Sequence, residues 1–197
     1  MALILTVGRS GVDESELIER CRRGDRQAQR AFYERFVGRV YAVLLRMTRQ
    51  PEDAMDLTQE TFIRALERLG QFDGRSSIGT WLYRVAVNRG LEFLRAERRM
   101  GHNLRGLSRP EAVGSQQERA DERMDVQQAL AELAPTDRAV LILRYQQGLC
   151  YEEIAEVLNC RPGTVASRLN RARQRLRQKL QGGLDVGEGR AGGVHRR

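Results

Sequence analysis

The sequence predicts an all-α protein built from two small helical domains that a flexible linker joins. Apolar residues recur at three- and four-residue steps from Asp13 to Arg99 and again from Val126 to about Leu180, and no stretch alternates as a strand does. Between them, a stretch rich in Gly, Ser, Gln and charge is typical of a tether. The predicted division is a tail at 1–12, a first domain at 13–100, a linker at 101–123, a second domain at 124–181 and a disordered tail at 182–197.

Length and composition exclude several classes of protein. The chain has 197 residues, of which 41% are hydrophobic, enough for a modest core. No apolar run approaches the roughly 20 residues that a membrane-spanning helix needs. The opening Met-Ala-Leu-Ile-Leu-Thr-Val lacks the basic start and the length of a signal peptide. We therefore predict a cytoplasmic protein that is not an integral membrane protein.

The cysteines and histidines do not form a site pattern. Cys21, Cys150 and Cys160 are an odd number without CxxC spacing, and His102 and His195 lie far from any cysteine or acidic cluster. The sequence predicts no disulfide framework, no metal site and no cofactor.

The first domain divides into about four helices. Breaks fall at Arg23-Gly24-Asp25, at Gln50-Pro51 and at residues 71–77. Asp25 is placed to cap a long second helix. The apolar residues of that helix fall on one face: Ala28, Phe32, Phe36, Val40, Val43 and Met47.

Two features of the first domain each allow two interpretations. Asp56, Gln59 and Glu60 share one helical turn, and spacing alone favours a solvated helix start that the helix dipole stabilises. The helix at 80–99 begins apolar on nearly every side, so Trp81 is expected in the core, and ends in Arg95, Arg98 and Arg99. It is either a base-stacking, phosphate-holding helix or a core helix with a solvated end.

The second domain carries a helix-turn-helix pattern. After a short helix from Tyr151, a break at residues 159–162 precedes a helix that Pro162 opens. Cys150 is expected to be a weak cap and a small buried residue. The buried stripe of the last helix is predicted to be Val165, Leu169, Ala172, Leu176 and Leu180.

The last helix is strongly basic. No acidic residue occurs between Glu156 and Asp185, so its seven cations repel one another unless a polyanion lies against them. In a helix-turn-helix this helix enters the major groove, with Thr164, Ser167, Arg168 and Arg171 near base edges and later arginines near phosphate. The alternative is a solvated basic face on an ordinary helix.

Four stretches together resemble the extracytoplasmic-function sigma factors of bacterial RNA polymerase. In order they are DLTQETF (56–62), FDGRSSIGTWLYRVAVN (72–88), ELAPTDRAVLILRY (132–145) and YEEIAEVLNCRPGTVASRLNRAR (151–173). They cover nearly all of 13–181. Within this family the two domains are of the sigma-2 and sigma-4 types.

The resemblance implies residue roles. Asp56, Gln59 and Glu60 would dock on the clamp helices of the largest polymerase subunit, and the polymerase flap is a further partner. The implied minus-ten residues are Arg75, Ile78, Trp81, Asn88 and Arg95, with Ile78 and Asn88 lining a pocket for a flipped base. The implied minus-thirty-five residues are Arg161, Thr164, Ser167, Arg168, Arg171 and Arg175.

The resemblance also implies a function. The chain would be an alternative sigma factor, not an enzyme, that binds core polymerase, recognises both promoter elements and opens DNA with binding energy alone. It implies an anti-sigma factor, which could hold the chain at the inner face of the membrane, and no small-molecule substrate. Two other classes stay open: a stand-alone helix-turn-helix regulator with an unrelated helical sensor, and an enzyme acting on nucleic acid, for which no metal cluster, P-loop or nucleophile–base pair is present.

Overall fold

The computed structural model describes residues 14–100, 128–130 and 132–187, with side chains up to residue 180, and all regular structure in these ranges is helical. This confirms the predicted all-α class. The predictions for 1–12 and 101–123 lie outside the described residues. The described helices are α1 (Glu14–Arg22), α2 (Arg26–Thr48), α3 (Pro51–Arg68), α4 (Ile78–Arg99), α5 (Pro135–Leu141), α6 (Tyr151–Leu158) and α7 (Pro162–Gly187).

Helices α1–α4 form the first unit, and they match the four that the sequence predicts. Asp25 caps α2 as predicted, because its carboxylate accepts from the backbone N–H groups of Gln27 at 2.9 Å and Ala28 at 3.2 Å. All six residues of the predicted apolar face of α2 are buried. At its centre the Phe32 ring lies 5.9 Å from that of Phe62 on α3.

Helices α2 and α4 approach closely at Gly90. A Cβ atom there would lie 3.0 Å from Met47 Cε and 3.2 Å from Leu44 Cδ2. A larger residue would therefore push the two helices apart or force the methionine to move, because protein interiors leave few voids. The glycine thus permits the close approach of α2 and α4.

Helices α5–α7 form the second unit. A π-helical turn at Ile142–Gln146 extends α5, and Gly148 turns the chain at a φ of 72°. The prediction that Cys150 is buried is wrong, because it is exposed at the start of α6. There Cys150 and Glu153 form a reciprocal capping box, in which the glutamate accepts from the Cys150 N–H at 2.8 Å.

The turn between α6 and α7 is closed by Asn159. This residue has a φ of 47°, a left-handed conformation that asparagine tolerates at helix ends, and the following N–H of Cys160 donates to Ala155 O at 2.9 Å. Pro162 then begins α7 as predicted. The helix runs to Gly187, so the predicted tail at 182–197 is helical over its first six residues, since extending an existing helix costs far less than starting one.

The two units share an apolar core, which the sequence did not predict. One buried cluster lies entirely in the first unit, from Leu17 to Ala86. A second cluster joins five residues of α2 and α4 to the interior of the second unit. Those five are Val43, Met47, Tyr83, Val87 and Leu91. The units therefore pack directly against each other.

Candidate nucleic-acid and protein interfaces

The acidic turn lies on the outer surface of α3. Asp56 and Gln59 expose their side chains, whereas Glu60 accepts from Arg89 Nε of α4 at 2.9 Å. Arg89 also donates to Glu92 at 2.8 Å, and hydrogen bonds to Glu92 and Glu60 raise the pKa of the Arg89 guanidinium above its ordinary value. Of the three predicted docking residues, Glu60 is thus already paired with an arginine of α4.

Two apolar side chains that sequence reasoning missed flank this turn. Met55 is 54% exposed and Ile63 is 58% exposed. Residues 55, 59 and 63 are four apart and lie along one stripe of the helix. Exposed apolar side chains grouped beside charged ones mark a protein-binding surface more strongly than a charged turn alone. Their eight-residue spacing, two four-residue steps through Gln59 and offset from the core stripe, was the signal available in the sequence.

The loop before α4 is braced from within. The Asp73 carboxylate lies 3.2 Å from Nε of Arg75, and it also accepts a hydrogen bond from the backbone N–H of Arg75 at 3.1 Å. The Arg75 guanidinium is exposed. Gly74 between them has a φ of 74°. Ser77 then caps α4 by accepting from the N–H of Thr80 at 3.0 Å.

Two of the predicted minus-ten residues belong to the core. Trp81 is 6% exposed and meets Phe72 edge-on with ring centroids 5.8 Å apart, as expected. Ile78 is only 1% exposed and packs in the first cluster. Truncating a fully buried side chain leaves a cavity, so Ile78 contributes to the stability of the first unit.

Asn88 and Arg95 line a basic cleft of about 370 Å³ between the units. Trp81 and, from α7 of the second unit, Arg168 also line the cleft. Its arginines are Arg64, Arg68, Arg84, Arg89, Arg95 and Arg168, against one acidic lining residue, Glu92. This positive potential suits phosphate groups.

The basic helix α7 carries less unpaired positive charge than its own sequence indicated. Arg175 pairs with Asp137 of α5 at 2.6 Å, and Lys179 pairs with Glu132. The prediction of seven uncompensated cations is therefore wrong for these two, because tertiary packing brings acidic residues from an earlier segment. Among the predicted minus-thirty-five residues, Arg161, Ser167 and Arg171 are exposed, whereas Thr164 and Arg168 are half-buried.

An apolar groove of about 750 Å³ opens mainly on the second unit, and Arg46 of α2 also lines it. Its apolar lining is Leu130, Leu141, Ile142, Leu176 and Leu180, with Tyr145 at 63% exposure. The side-chain oxygen Gln146 Oε1 is buried in this groove, and no hydrogen-bond donor reaches it from the described residues.

The cysteines of the described residues do not form a further site. Cys21 is buried, which raises the pKa of its thiol, and all three cysteines are free. In the ranges that the structure describes, no three or more His, Cys, Asp or Glu side chains are grouped so that they could hold a metal ion. Nor does any helix there combine the length and apolarity needed to cross a bilayer.

Two family models match this chain: Sigma-70 region 2 over residues 32–100 and Sigma-70, region 4 over residues 123–176. The chain is 33% identical to the RNA polymerase sigma-H factor of Pseudomonas aeruginosa over 85% of its own length and 94% of the relative's. It is 34% identical to the ECF RNA polymerase sigma-E factor of Escherichia coli, over 84% and 93% of the two chains.

Solved structures show the same fold. The sigma factor RpoE, in complex with the anti-sigma factor NepR from Bartonella quintana, matches with a TM-score of 0.62 and 25% identity, over 77% of this chain and 96% of that one. CnrH, in complex with the cytosolic domain of CnrY, matches with a TM-score of 0.63 and 24% identity, over 84% and 96%.

Proposed function

Because this chain belongs to the extracytoplasmic-function sigma factors, we propose that its two helical units divide promoter recognition between them. The chain is an alternative sigma factor that directs RNA polymerase core to promoters. The observation that carries the division is that one chain matches region 2 over α2–α4 and region 4 over the helix-turn-helix. A stand-alone helix-turn-helix regulator would leave the region 2 match unexplained. The chain acts as an initiation factor through binding and not as a catalyst.

The outer face of α3 is our candidate for docking on the polymerase clamp helices. Asp56 and Gln59 offer charge and hydrogen bonds, and Met55 and Ile63 offer apolar area that water now contacts. Burial of such apolar side chains supplies most of the energy of protein association, whereas the charges set orientation. Glu60 contributes by holding Arg89, and through it α4, against α3.

The minus-ten role falls on α4 and the loop before it. Asn88 is exposed on the basic cleft, and its amide offers both a donor and an acceptor to a base edge. Arg75 and Arg95 are exposed at either end of this surface and suit phosphates. Trp81 and Ile78 contribute by supporting the surface from the core.

The minus-thirty-five role falls on the start of α7. Ser167 and Arg171 are exposed on its first turns, and Arg161 stands just before it. A helix-turn-helix places these positions at base edges in the major groove. Arg175 is held by Asp137, so it contributes less to DNA than an unpaired arginine.

The apolar groove is our candidate for the polymerase flap. An apolar partner segment would cover the half-buried side chains of Leu176 and Leu180. Tyr145 at the rim offers an aromatic anchor of the kind that dominates protein interfaces.

Control by an anti-sigma factor is part of the proposal. Two structural neighbours are complexes of sigma factors with an anti-sigma factor or with the cytosolic domain of a second protein. We place this chain in the cytoplasm, where polymerase and promoter DNA are found, either free or held at the membrane by such a partner.

The test is Asp56→Arg in the full chain, with core association measured by pull-down and titration. We expect core affinity to fall about tenfold or more, equivalent to about 1.4 kcal/mol, because the surface loses a complementary charge. Asp56 is preferred to Glu60 because Arg89 already binds Glu60. Glu16→Arg on α1 makes the same charge change at another exposed position. Equal core affinity of both variants and the wild type would rule out α3 as the docking surface.

A further inference from the structure

The basic cleft contains six arginines, and one of them, Arg89, is already paired. Its side chain is 19% exposed, and its guanidinium forms ion pairs with Glu60 of α3 and Glu92 of α4. Within the described residues, no acidic side chain pairs with the other five, which are Arg64, Arg68, Arg84, Arg95 and Arg168. In this part of the chain the cleft therefore combines five unpaired cations with one that two carboxylates neutralise.

Glu60 occupies one edge of the Arg89 guanidinium. Arg89 Nε donates to Glu60 Oε2 at 2.9 Å, and Nη2 donates to the same oxygen. On the other side, Nη1 donates to Glu92 Oε2 at 2.8 Å. Two neighbouring N–H groups of a guanidinium are also the geometry that binds a phosphate. Glu60 thus occupies the donors of Arg89 that a DNA phosphate would use.

Glu60 also belongs to the acidic turn that it shares with Asp56 and Gln59. Its side chain is 46% exposed, so a partner on the outer face of α3 can reach its carboxylate. An acidic turn favours a cationic group on the surface that docks there, because complementary charges orient protein complexes. Glu60 therefore has two cationic partners available to it: Arg89 within the chain, and a cation on the polymerase.

We propose that Glu60 exchanges Arg89 for a cation of the polymerase when α3 docks, and that the released Arg89 then binds DNA phosphate in the cleft. The proposal rests on the function proposed above. In the free chain one guanidinium faces two carboxylates, so Arg89, Glu60 and Glu92 together carry a net charge of −1, from one cation and two anions. Loss of Glu60 leaves the Arg89–Glu92 pair neutral and makes the cleft beside Asn88 more positive by one charge.

Glu92 keeps Arg89 at the cleft during this exchange. Glu92 and Arg89 both line the cleft with Asn88, whereas Glu60 lies outside its lining. Exchange of one partly exposed ion pair for another costs little, because such pairs contribute little to stability. By thermodynamic linkage, docking on polymerase and binding of DNA then strengthen each other by the same factor.

The first test releases Arg89 without polymerase. Glu60→Gln in the full chain removes the carboxylate but keeps the shape of the side chain. Fluorescence anisotropy measures the affinity of the isolated chain for a labelled single-stranded DNA of mixed sequence at several salt concentrations. We expect the affinity to rise about threefold to tenfold and the salt dependence to steepen by about 0.7, the value for one further phosphate of a single strand. An unchanged affinity and slope would overturn the proposal.

Saturating polymerase core distinguishes the exchange from the loss of a negative charge alone. With core in excess and the binding of core alone subtracted, Glu60→Gln should bind the same DNA as tightly as the wild type, because docking has already removed Glu60 from Arg89. Glu92→Gln is the matched control, since it makes the same charge change on the same arginine but lies outside the acidic turn. Its gain in affinity should persist with core. An equal gain by Glu60→Gln with and without core would overturn the proposal.

The second test removes the arginine itself. Arg89→Gln should lower DNA affinity about threefold to tenfold in the presence of core and change it little in the isolated chain, where Glu60 already occupies the guanidinium. Arg84→Gln is the control, because Arg84 is an exposed arginine of the same cleft and has no acidic partner in the described residues. It should lower the affinity by the same factor in both conditions. A loss in Arg89→Gln that is equally large without core would contradict the exchange.

Circular dichroism and urea unfolding show whether each variant keeps the wild-type fold. Glu60→Gln and Arg89→Gln test the exchange separately, so either one decides it if the other fails to fold. If the wild-type chain binds core and supports promoter-dependent transcription but neither variant responds to core as expected, the exchange fails and the proposed function stands. If the wild-type chain does not bind core, the proposed function fails and the exchange fails with it.

Discussion

The two apolar clusters of this protein are built differently. The first is drawn from one continuous stretch, Leu17 to Ala86, and every helix of that unit contributes to it. The second combines residues of α5, α6 and α7 with faces of α2 and α4. The first unit therefore completes its own core, whereas the second completes part of its core on its neighbour. A surface that is buried only while two units touch is suited to change between functional states.

The largest expected effect distinguishes the two clusters. Phe32→Ala should lower the free energy of unfolding of the first unit by about 3–5 kcal/mol, and Leu169→Ala should lower that of the second by about 2–5 kcal/mol, since both side chains are fully buried. Hydrogen exchange followed by mass spectrometry reports each unit separately. Leu169→Ala should leave α1–α3 protected. Loss of protection throughout the chain in both variants would mean that the units fold as one.

A second comparison distinguishes a residue that stabilises the first unit from one that we propose contacts DNA. Ile78→Ala should lower the free energy of unfolding by about 2–5 kcal/mol, because the side chain is 1% exposed. Asn88→Ala should leave stability within about 0.5 kcal/mol, because the residue is exposed, yet slow promoter opening. Urea denaturation and permanganate footprinting measure the two effects. Normal opening by the Asn88 variant would remove Asn88 from the proposed base-reading surface.

Helix α7 offers a matched pair of arginines in the second unit. Arg171→Ala should weaken promoter binding by about 1–3 kcal/mol and relax preference at one base position. Arg175→Ala should weaken binding less and evenly across sequences, because Asp137 already neutralises Arg175. Binding titrations on promoter variants at several salt concentrations measure both. If the two variants behave alike, α7 is an electrostatic patch and not a base-reading helix.

The smallest expected effect concerns the cap of α2 in the first unit. A hydrogen bond from Arg20, together with backbone N–H groups, lowers the pKa of Asp25. The folded state therefore favours the carboxylate, and this stabilisation is present above the unfolded pKa of about 3.9 and lost as the pH falls through the folded value. Asp25→Asn should lower the melting temperature slightly at pH 7, and its difference from the wild type should shrink below pH 4. A pH-independent difference would assign the effect to the cap geometry alone.

Local pattern was sufficient for the helices and their buried faces. The apolar stripe of α2, the cap at Asp25 and the start of α7 at Pro162 each depend on residues within one or two turns. Such features are set by backbone hydrogen bonding and side-chain spacing, which the sequence displays directly. The family resemblance likewise rested on short stretches, and the matches to regions 2 and 4 confirm it.

Local pattern failed where a side chain's environment came from distant residues. Ile78 sits at a helix start beside a polar loop, yet packing of α4 on α2 and α3 buries it. The charges of Arg175 and Lys179 are balanced by residues that precede them by 38 and 47 positions. Met55 and Ile63 became candidates for docking only when the structure showed that nothing in the described residues covers them.

By itself, the sequence determined the helical class, the order of the helices, the cap of α2, the helix-turn-helix and the family. Only the tertiary structure decided that the units share a core, that Arg138 of α5 donates to the Met47 carbonyl of α2 and that α4 and α7 face one cleft. The physical reason is that periodicity records which face of a helix avoids water, but not which distant surface covers that face.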